Sequence, residues 1–122
     1  MTLRFRRRAA ATLPSTETGD LSETLAIKRL FQERAYRIPV TANKSMLGHW
    51  LGAAGGAEAM ALAKSLETGT IPPTINQEEK DLRCDLDCVP NAARQAEVKI
   101  GLSNSFGFGG HDAVIVLKKY EE

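Results

Sequence analysis

A run of small residues between Gly48 and Thr68 constrains the fold of this 122-residue chain more than any other segment. The run contains four glycines and six alanines. Each glycine inside a helix costs about 1 kcal/mol relative to alanine, so close packing of the backbone must compensate. The pattern therefore predicts one helix that is buried on all sides.

The residues before this run predict one helix and one strand. An amphipathic helix is expected over residues 21–34, capped by Asp20 or Ser22, because apolar residues recur there at helical spacing. The β-branched residues of 36–41 predict a short strand, with Pro39 near an edge or a kink.

The residues around and after the run predict its ends and the rest of an α/β fold. Ser45 suits the N-cap of the buried helix, and Gly69 suits the position just after its last turn. The prolines of 71–76 favour an extended segment. Strands are expected at 98–102 and 113–117, and the short loop between them predicts an antiparallel pair.

Charge and cysteine content narrow the functional classes. Lys and Arg number 16 against 15 Asp and Glu, so no nucleic-acid surface is predicted. No apolar run reaches membrane-spanning length, and no cofactor is predicted. Cys84 and Cys88 are interpreted as free thiols, because a closed zinc site needs four ligands. A small metal or redox site that adds His111 is the alternative.

Lys44, His49 and Glu58 are polar residues in and beside the run that could carry chemistry. The positive end of a helix dipole disfavours imidazolium, so His49 at a helix start would be neutral and able to donate a hydrogen bond. Spacing alone favours a core histidine bonded to a backbone carbonyl. A buried Glu58 needs a partner, and Lys44 is the nearest candidate; a Glu58 that reaches solvent through a gap is the alternative.

A glycine-rich loop, Ser105–His111, is a further candidate site. Its glycines permit close approach of the backbone to a ligand, and its N–H groups could form an anion or oxyanion cradle. Phe106 and Phe108 could gate an apolar pocket on hinges formed by Gly107, Gly109 and Gly110. A simple turn between two strands is an equally good interpretation.

These motifs occur together and in a fixed order. Residues 44–58 follow the pattern KS-x-x-GH-x-x-GAAG-x-x-E, which resembles the β-ketoacyl-acyl-carrier-protein synthases. Further segments follow in that family's order: 72–76, 85–87, 89–91 and 104–111. The resemblance covers residues 15–119 and is strongest to the type II elongating condensing enzymes of fatty-acid synthesis.

The resemblance implies the C-terminal portion of a thiolase-like fold, a mixed sheet with a buried Gly/Ala-rich helix in an incomplete half-domain. Residues 15–122 would belong to the family's C-terminal domain, preceded by an Arg-rich tail, residues 1–14. The implied reaction is the decarboxylative Claisen condensation of acyl and malonyl thioesters on acyl carrier protein. The implied enzyme is a homodimer in the cytoplasm, or alternatively in an organellar stroma or matrix.

The resemblance also implies roles for individual residues. His49 matches the second catalytic histidine, which donates a hydrogen bond to the malonyl thioester carbonyl. Lys44 matches the active-site lysine and Glu58 its acidic partner. Phe108 matches the gating phenylalanine whose backbone N–H helps form the oxyanion hole. Thr16 matches a threonine that contacts the pantetheine arm.

Two catalytic groups of the family have no counterpart among these residues. The nucleophilic cysteine belongs to the family's other half, and Thr12 stands where the first catalytic histidine is expected. We therefore expect a C-terminal fragment without condensing activity of its own. Its uncovered apolar surface predicts an aggregation-prone or partly molten chain. A non-catalytic module that binds a partner synthase or acyl carrier protein is the alternative.

Overall fold

The computed structural model describes residues 17–121 of the chain, apart from the side chain of Glu17. In chain order its elements are α1 (Glu17–Phe31), a 3-10 helix (Gln32–Arg37), α2 (Lys44–Leu47), a second 3-10 helix (Leu51–Ala53), α3 (Ala54–Thr68), β1 (Thr70–Ile71), β2 (Arg94–Gln95), β3 (Ile100–Gly107) and β4 (His111–Lys118). The candidate Thr16 and the predicted boundary after residue 14 lie outside the described residues, and both stay predictions.

The largest sheet element is the antiparallel hairpin of β3 and β4, which confirms the predicted pairing. Its register runs from Ile100 opposite Lys118 to Gly107 opposite His111. Both strands are longer than expected, because pairing continues through most of the predicted loop. Gly109 and Gly110, with φ of 85° and 79°, allow the chain to reverse within three residues.

The predicted strand at 36–41 is wrong. The chain is a 3-10 helix as far as Arg37, and then Pro39 and Val40 are isolated bridge residues, with Pro39 paired in parallel to Asp87. The Val40 N–H donates to the Asp87 carbonyl at 2.8 Å. A ladder cannot extend through Pro39, because proline has no N–H to donate.

Two apolar clusters form the core among the described residues. The first joins α1 to the segments around residues 40 and 87: Ile27, Ala35, Val40, Ala42, Leu86 and Cys88. The second packs α3 against the strands: Leu62, Leu66, Ile71, Val89 and Val98. On α1 the buried positions are Glu23, Thr24 and Ile27, while Leu25 and Leu30, two apolar residues of the predicted amphipathic helix, are exposed.

The prediction of a helix buried on all sides is wrong for the described residues. The α-helix begins at Ala54 rather than Gly48, since Gly48 and Leu51 adopt positive φ values of 75° and 50°. Its buried residues lie on one face: Glu58, Leu62, Ser65 and Leu66. A Cβ added to Gly56 would meet nothing within 4 Å, so the helix surface at Gly56 is open. Gly69 ends the helix in the left-handed conformation, as expected.

Strand β4 leaves apolar side chains uncovered. Val114, Ile115 and Val116 are all exposed. Successive strand residues point to opposite faces, so both faces of β4 lack a covering layer among the described residues. No helix in residues 17–121 combines the length and apolar character required to cross a membrane.

Candidate functional site

Lys44 on α2 and Glu58 on α3 form an ion pair through Lys44 Nζ and Glu58 Oε1. Side-chain exposure is 17% for Lys44 and 3% for Glu58. The predicted partnership is therefore confirmed, and the alternative of a solvent-reaching Glu58 is wrong. Because a buried ion must be paired, Glu58 holds the lysine ammonium at a defined place beside the start of α3.

The extended segment after α3 fixes the position of α2. Ser45 is not an N-cap: Asn43 precedes α2 and Ala53 precedes α3, each without a side-chain cap bond. The Ser45 Oγ instead accepts a hydrogen bond from the Ile75 N–H at 3.0 Å. The Ala42 N–H donates to Thr74 Oγ1, also at 3.0 Å. These two bonds bind the chain on both sides of Lys44 to one extended segment.

His49 lies in the turn between α2 and the second 3-10 helix and is exposed. Its Nδ1 accepts a hydrogen bond from the Leu51 N–H at 2.9 Å. A ring nitrogen that accepts carries no proton, so the imidazole is neutral with its proton on Nε2. The interpretation as a core histidine is wrong, and so is its placement at the first turn of α3. The outcome is the expected one: a neutral imidazole with a free N–H donor.

The backbone around His49 is held in a rare conformation. Leu51 has a φ of 50°, which non-glycine residues seldom adopt. Trp50 Nε1 donates to the Leu47 carbonyl at 2.7 Å and closes the preceding turn. These local bonds, rather than a long helix, set the direction of the imidazole.

The glycine-rich loop forms the tip of the β3–β4 hairpin. Phe106 and Gly107 belong to β3, and the reversal occupies Phe108, Gly109 and Gly110. Phe108 is fully exposed, so no apolar pocket closes around it within residues 17–121. The hairpin lies against the start of α3: the Ser105 Oγ is 3.3 Å from where a Cβ on Gly55 would be. The strand that leads into the loop therefore packs against the start of α3, the helix that follows His49 in the chain.

Glu23 is a buried acid that the sequence reasoning missed. It is 3% exposed, and its Oε1 accepts a hydrogen bond from Asn104 Nδ2 at 2.8 Å. Burial raises the pKa of Glu23 to about 7, against the opposing effect of the Asn104 bond. Its signal in the sequence is its spacing of four from Ile27, which places an acid on the buried face of α1.

Cys84 and Cys88 are free thiols, as expected. Both line a polar cleft of about 780 Å³, and burial raises the pKa of the Cys88 thiol to about 11. In the described part of the chain, no three His, Cys, Asp or Glu side chains are grouped to hold a metal ion. His111 instead lies in the hairpin, opposite Gly107. The structure thus gives no support to a metal or redox site of Cys84, Cys88 and His111.

Comparison with known proteins finds relatives over most of the chain. The beta-ketoacyl synthase, C-terminal domain, matches residues 9–78. The chain is 49% identical over 107 residues to 3-oxoacyl-[acyl-carrier-protein] synthase 2 of Synechocystis sp.. It is 50% identical over 107 residues to the chloroplastic 3-oxoacyl-[acyl-carrier-protein] synthase I of Hordeum vulgare. Each alignment covers 88% of this chain, but 26% and 23% of the relative, so the chain spans about a quarter of the curated relatives' length.

Among solved structures, ketosynthases have the same backbone fold as this chain. A type II polyketide synthase acyl-carrier protein in complex with its ketosynthase, bound to the hexaketide, superposes with a TM-score of 0.90. Sequence identity is 37%, over 94% of this chain and 28% of that one. The described elements therefore recur together within a larger ketosynthase fold.

Proposed function

The chain belongs to the β-ketoacyl synthase family, in its C-terminal domain, and on that premise we propose that it supplies part of a fatty-acid condensing site. Its fold is the C-terminal portion of the thiolase-like ketosynthase fold. The proposed enzyme is a 3-oxoacyl-acyl-carrier-protein synthase, the activity in the names of its curated relatives. The chain covers a quarter of those relatives, so the complete reaction needs groups beyond these 122 residues.

The proposed reaction is a decarboxylative Claisen condensation. The C–C bond to the malonyl carboxylate breaks, CO₂ leaves, and its electron pair forms the enolate of the thioester. That enolate attacks the carbonyl carbon of an acyl thioester carried on a cysteine sulfur; a new C–C bond forms, the C–S bond breaks, and the cysteine leaves as thiolate. Neither cysteine suits that nucleophile, since Cys88 is a buried thiol of raised pKa and both lie in the cleft apart from His49.

In this proposal His49 stabilises the enolate. Its Nε2–H would donate to the malonyl thioester oxygen, where negative charge develops as CO₂ departs. A neutral donor that is already oriented stabilises the charged transition state more than it stabilises the uncharged substrate. The hydrogen bond from the Leu51 N–H to His49 Nδ1 is the observation that carries this assignment, because it keeps the proton on Nε2.

Lys44, Glu58 and the hairpin tip have supporting roles in the proposal. Glu58 would keep the Lys44 ammonium beside the site as a fixed positive charge. The tip, with Phe108, would gate the acyl chain and offer backbone N–H groups to the acyl oxyanion. Its full exposure and its glycine hinges suit a segment that moves or closes against another part of the enzyme.

We further propose acyl carrier protein as the donor of both thioesters and a homodimer as the complete enzyme. The carrier is supported by the relatives' names and by the solved complex of a ketosynthase with its acyl-carrier protein. Relatives from a cyanobacterium and a chloroplast favour the cytoplasm or a plastid stroma. Thr16 stays a proposed pantetheine contact.

A segment exchange tests the proposal directly. The corresponding segment of the Synechocystis synthase is replaced by this chain, and release of CO₂ from malonyl-acyl carrier protein is measured. We expect an active chimera, and a loss of about 10²–10³-fold in His49→Ala, the usual cost of one lost oxyanion donor. His49→Asn, which keeps a donor, should retain more activity, and Lys64→Ala, at an exposed ion pair on α3, is the matched control. A His49→Ala chimera with unchanged decarboxylation would refute the role of His49.

The alternative of a non-catalytic module gives a different result. It predicts that the purified chain forms a stable complex with an intact synthase or with acyl carrier protein, and that the chimera is inactive. Condensation by the purified chain alone would contradict both proposals, because no nucleophile has been assigned in it.

A further inference from the structure

Glu23 is a buried acid that the proposed chemistry does not use. It is contributed by α1 and lies among Lys44 of α2, Glu58 of α3 and Asn104 of β3. Asn104 satisfies its Oε1, but its Oε2 is buried and has no hydrogen-bond partner among the described residues. A carboxylate with one oxygen unsatisfied and away from water is unstable, so this group requires an explanation.

The charges around Glu23 do not balance. Glu23 and Glu58 are both 3% exposed, and the Lys44 ammonium, which acts on both, is paired with Glu58. Glu58 Oε2 is a second buried oxygen that has no hydrogen-bond partner within residues 17–121. Asp20, on the same helix as Glu23, adds further negative potential. Two buried carboxylates share one cation, and this arrangement needs an additional positive charge.

We propose that Glu23 holds a proton in the folded chain, and that this neutral acid is a positioning residue for both halves of the site. Its carbonyl oxygen accepts from Asn104, and its hydroxyl oxygen is Oε2. Because it is uncharged, it does not compete with Glu58 for the Lys44 ammonium. Asn104 lies two residues before Phe106 on β3, so the same side chain also anchors the strand that leads to the hairpin tip.

Loss of the proton would disturb both contacts. An ionised Glu23 repels Glu58 and attracts Lys44, so the ion pair would loosen as the pH rises. The inference rests on the proposed function where it treats Lys44 and the hairpin tip as parts of an active site. The proton on Glu23 follows from burial and charge alone, and its test needs no substrate.

The direct test is a carboxyl titration by carbon-13 NMR on the chimera labelled at its glutamates, in which the Glu23 signal is identified by its loss in Glu23→Gln. We expect Glu23 to titrate at about pH 7, while exposed Glu67, whose pKa the neighbouring Lys64 lowers, titrates below its ordinary 4.5. A Glu23 signal that titrates together with Glu67 would overturn the proposal.

A second test measures stability against pH. The folded pKa of Glu23 exceeds its ordinary value of 4.5, so the folded state holds more protons between pH 4.5 and 7. Stability therefore falls as the pH rises through that window. The wild-type folding equilibrium should fall by about 300-fold more than that of Glu23→Gln, and Glu67→Gln should follow the wild type. Equal slopes of stability against pH in the wild type and Glu23→Gln would show that Glu23 does not hold a proton. A wild-type slope that is absent in potassium and appears when tetramethylammonium replaces it would do so too, since a bound potassium ion rather than a proton would then balance the charge.

The positioning role is tested in the chimera. Decarboxylation by the wild-type chimera should decline above pH 7 relative to that by Glu23→Gln, whose glutamine side chain is neutral at every pH. Identical profiles of rate against pH in the two chimeras would refute the positioning role. The outcomes separate cleanly. An inactive chimera with Glu23 titrating at about pH 7 refutes the proposed function alone. An active chimera with an ordinary Glu23 refutes this inference alone.

Discussion

Lys44 and Glu58 are fourteen residues apart in sequence and form an ion pair in which the carboxylate is almost completely buried. The pair joins the short helix α2 to α3, and so connects the segment before His49 to the helix after it. This relationship gives the first prediction, because a buried charge depends on its partner far more than an exposed one does.

Removal of the Lys44 charge should destabilise the fold strongly. Lys44→Met leaves the Glu58 carboxylate buried and unpaired, which costs about 3 kcal/mol of unfolding free energy. The exposed pair of Lys64 and Glu67 is the matched control, and Lys64→Met should cost less than about 1 kcal/mol. Urea unfolding followed by circular dichroism measures both. Equal losses would show that the Lys44 pair behaves as a surface pair.

Gly101 is expected to tolerate no side chain. A Cβ at this position in β3 would overlap Cδ1 of Leu62 on α3. Gly101→Ala should therefore cost about 1–3 kcal/mol, the usual range for an overpacked core. Adding Leu62→Ala should recover part of that loss relative to Leu62→Ala alone, as a double-mutant cycle would reveal.

Gly56 is the control for Gly101 and should respond in the opposite sense. It lies inside α3 with open space where a Cβ would be. Gly56→Ala should stabilise the chain by up to about 1 kcal/mol, because alanine is the better helix former. A destabilised Gly56→Ala would show that another part of the enzyme occupies that space in solution.

The two cysteines should differ in reactivity. Cys88 is buried and its pKa is raised to about 11, so little of it is thiolate at pH 8, whereas Cys84 is half-buried. We expect iodoacetamide at pH 8 to modify Cys84 at least about tenfold faster, as peptide mass spectrometry would measure. Cys88 modification should appear only with denaturant. Equal rates under native conditions would contradict the burial of Cys88.

The uncovered face of β4 should make the purified chain prone to aggregate. Val114 and Val116 share one face and are exposed. Val116→Lys should lower dye binding and aggregation, measured by light scattering, without lowering the melting temperature. Ala63→Lys adds the same charge to the exposed side of α3 and should leave aggregation unchanged. If both variants suppress aggregation equally, net charge rather than the β4 face is responsible.

Much of the site could be predicted from the sequence, because its motifs combine residue type with spacing. The partnership of Lys44 and Glu58 follows from one acid in an apolar helix and one lysine nearby. The neutral state of His49 was also predicted, although from a helix dipole. The structure assigns it instead to the Leu51 N–H, a local bond that depends on a positive φ at a leucine. No periodicity reports such a dihedral angle.

The sequence by itself determined the family, the antiparallel hairpin, the helix end at Gly69 and the pairing of Lys44 with Glu58. These depend on local propensity and on motif spacing, which are properties of neighbouring residues. Only the tertiary structure decided that α3 is buried on one face among the described residues, and that Glu23 lies beside Lys44 and Glu58. Burial and electrostatic potential are sums over residues distant in sequence, so they exist only once the chain has folded.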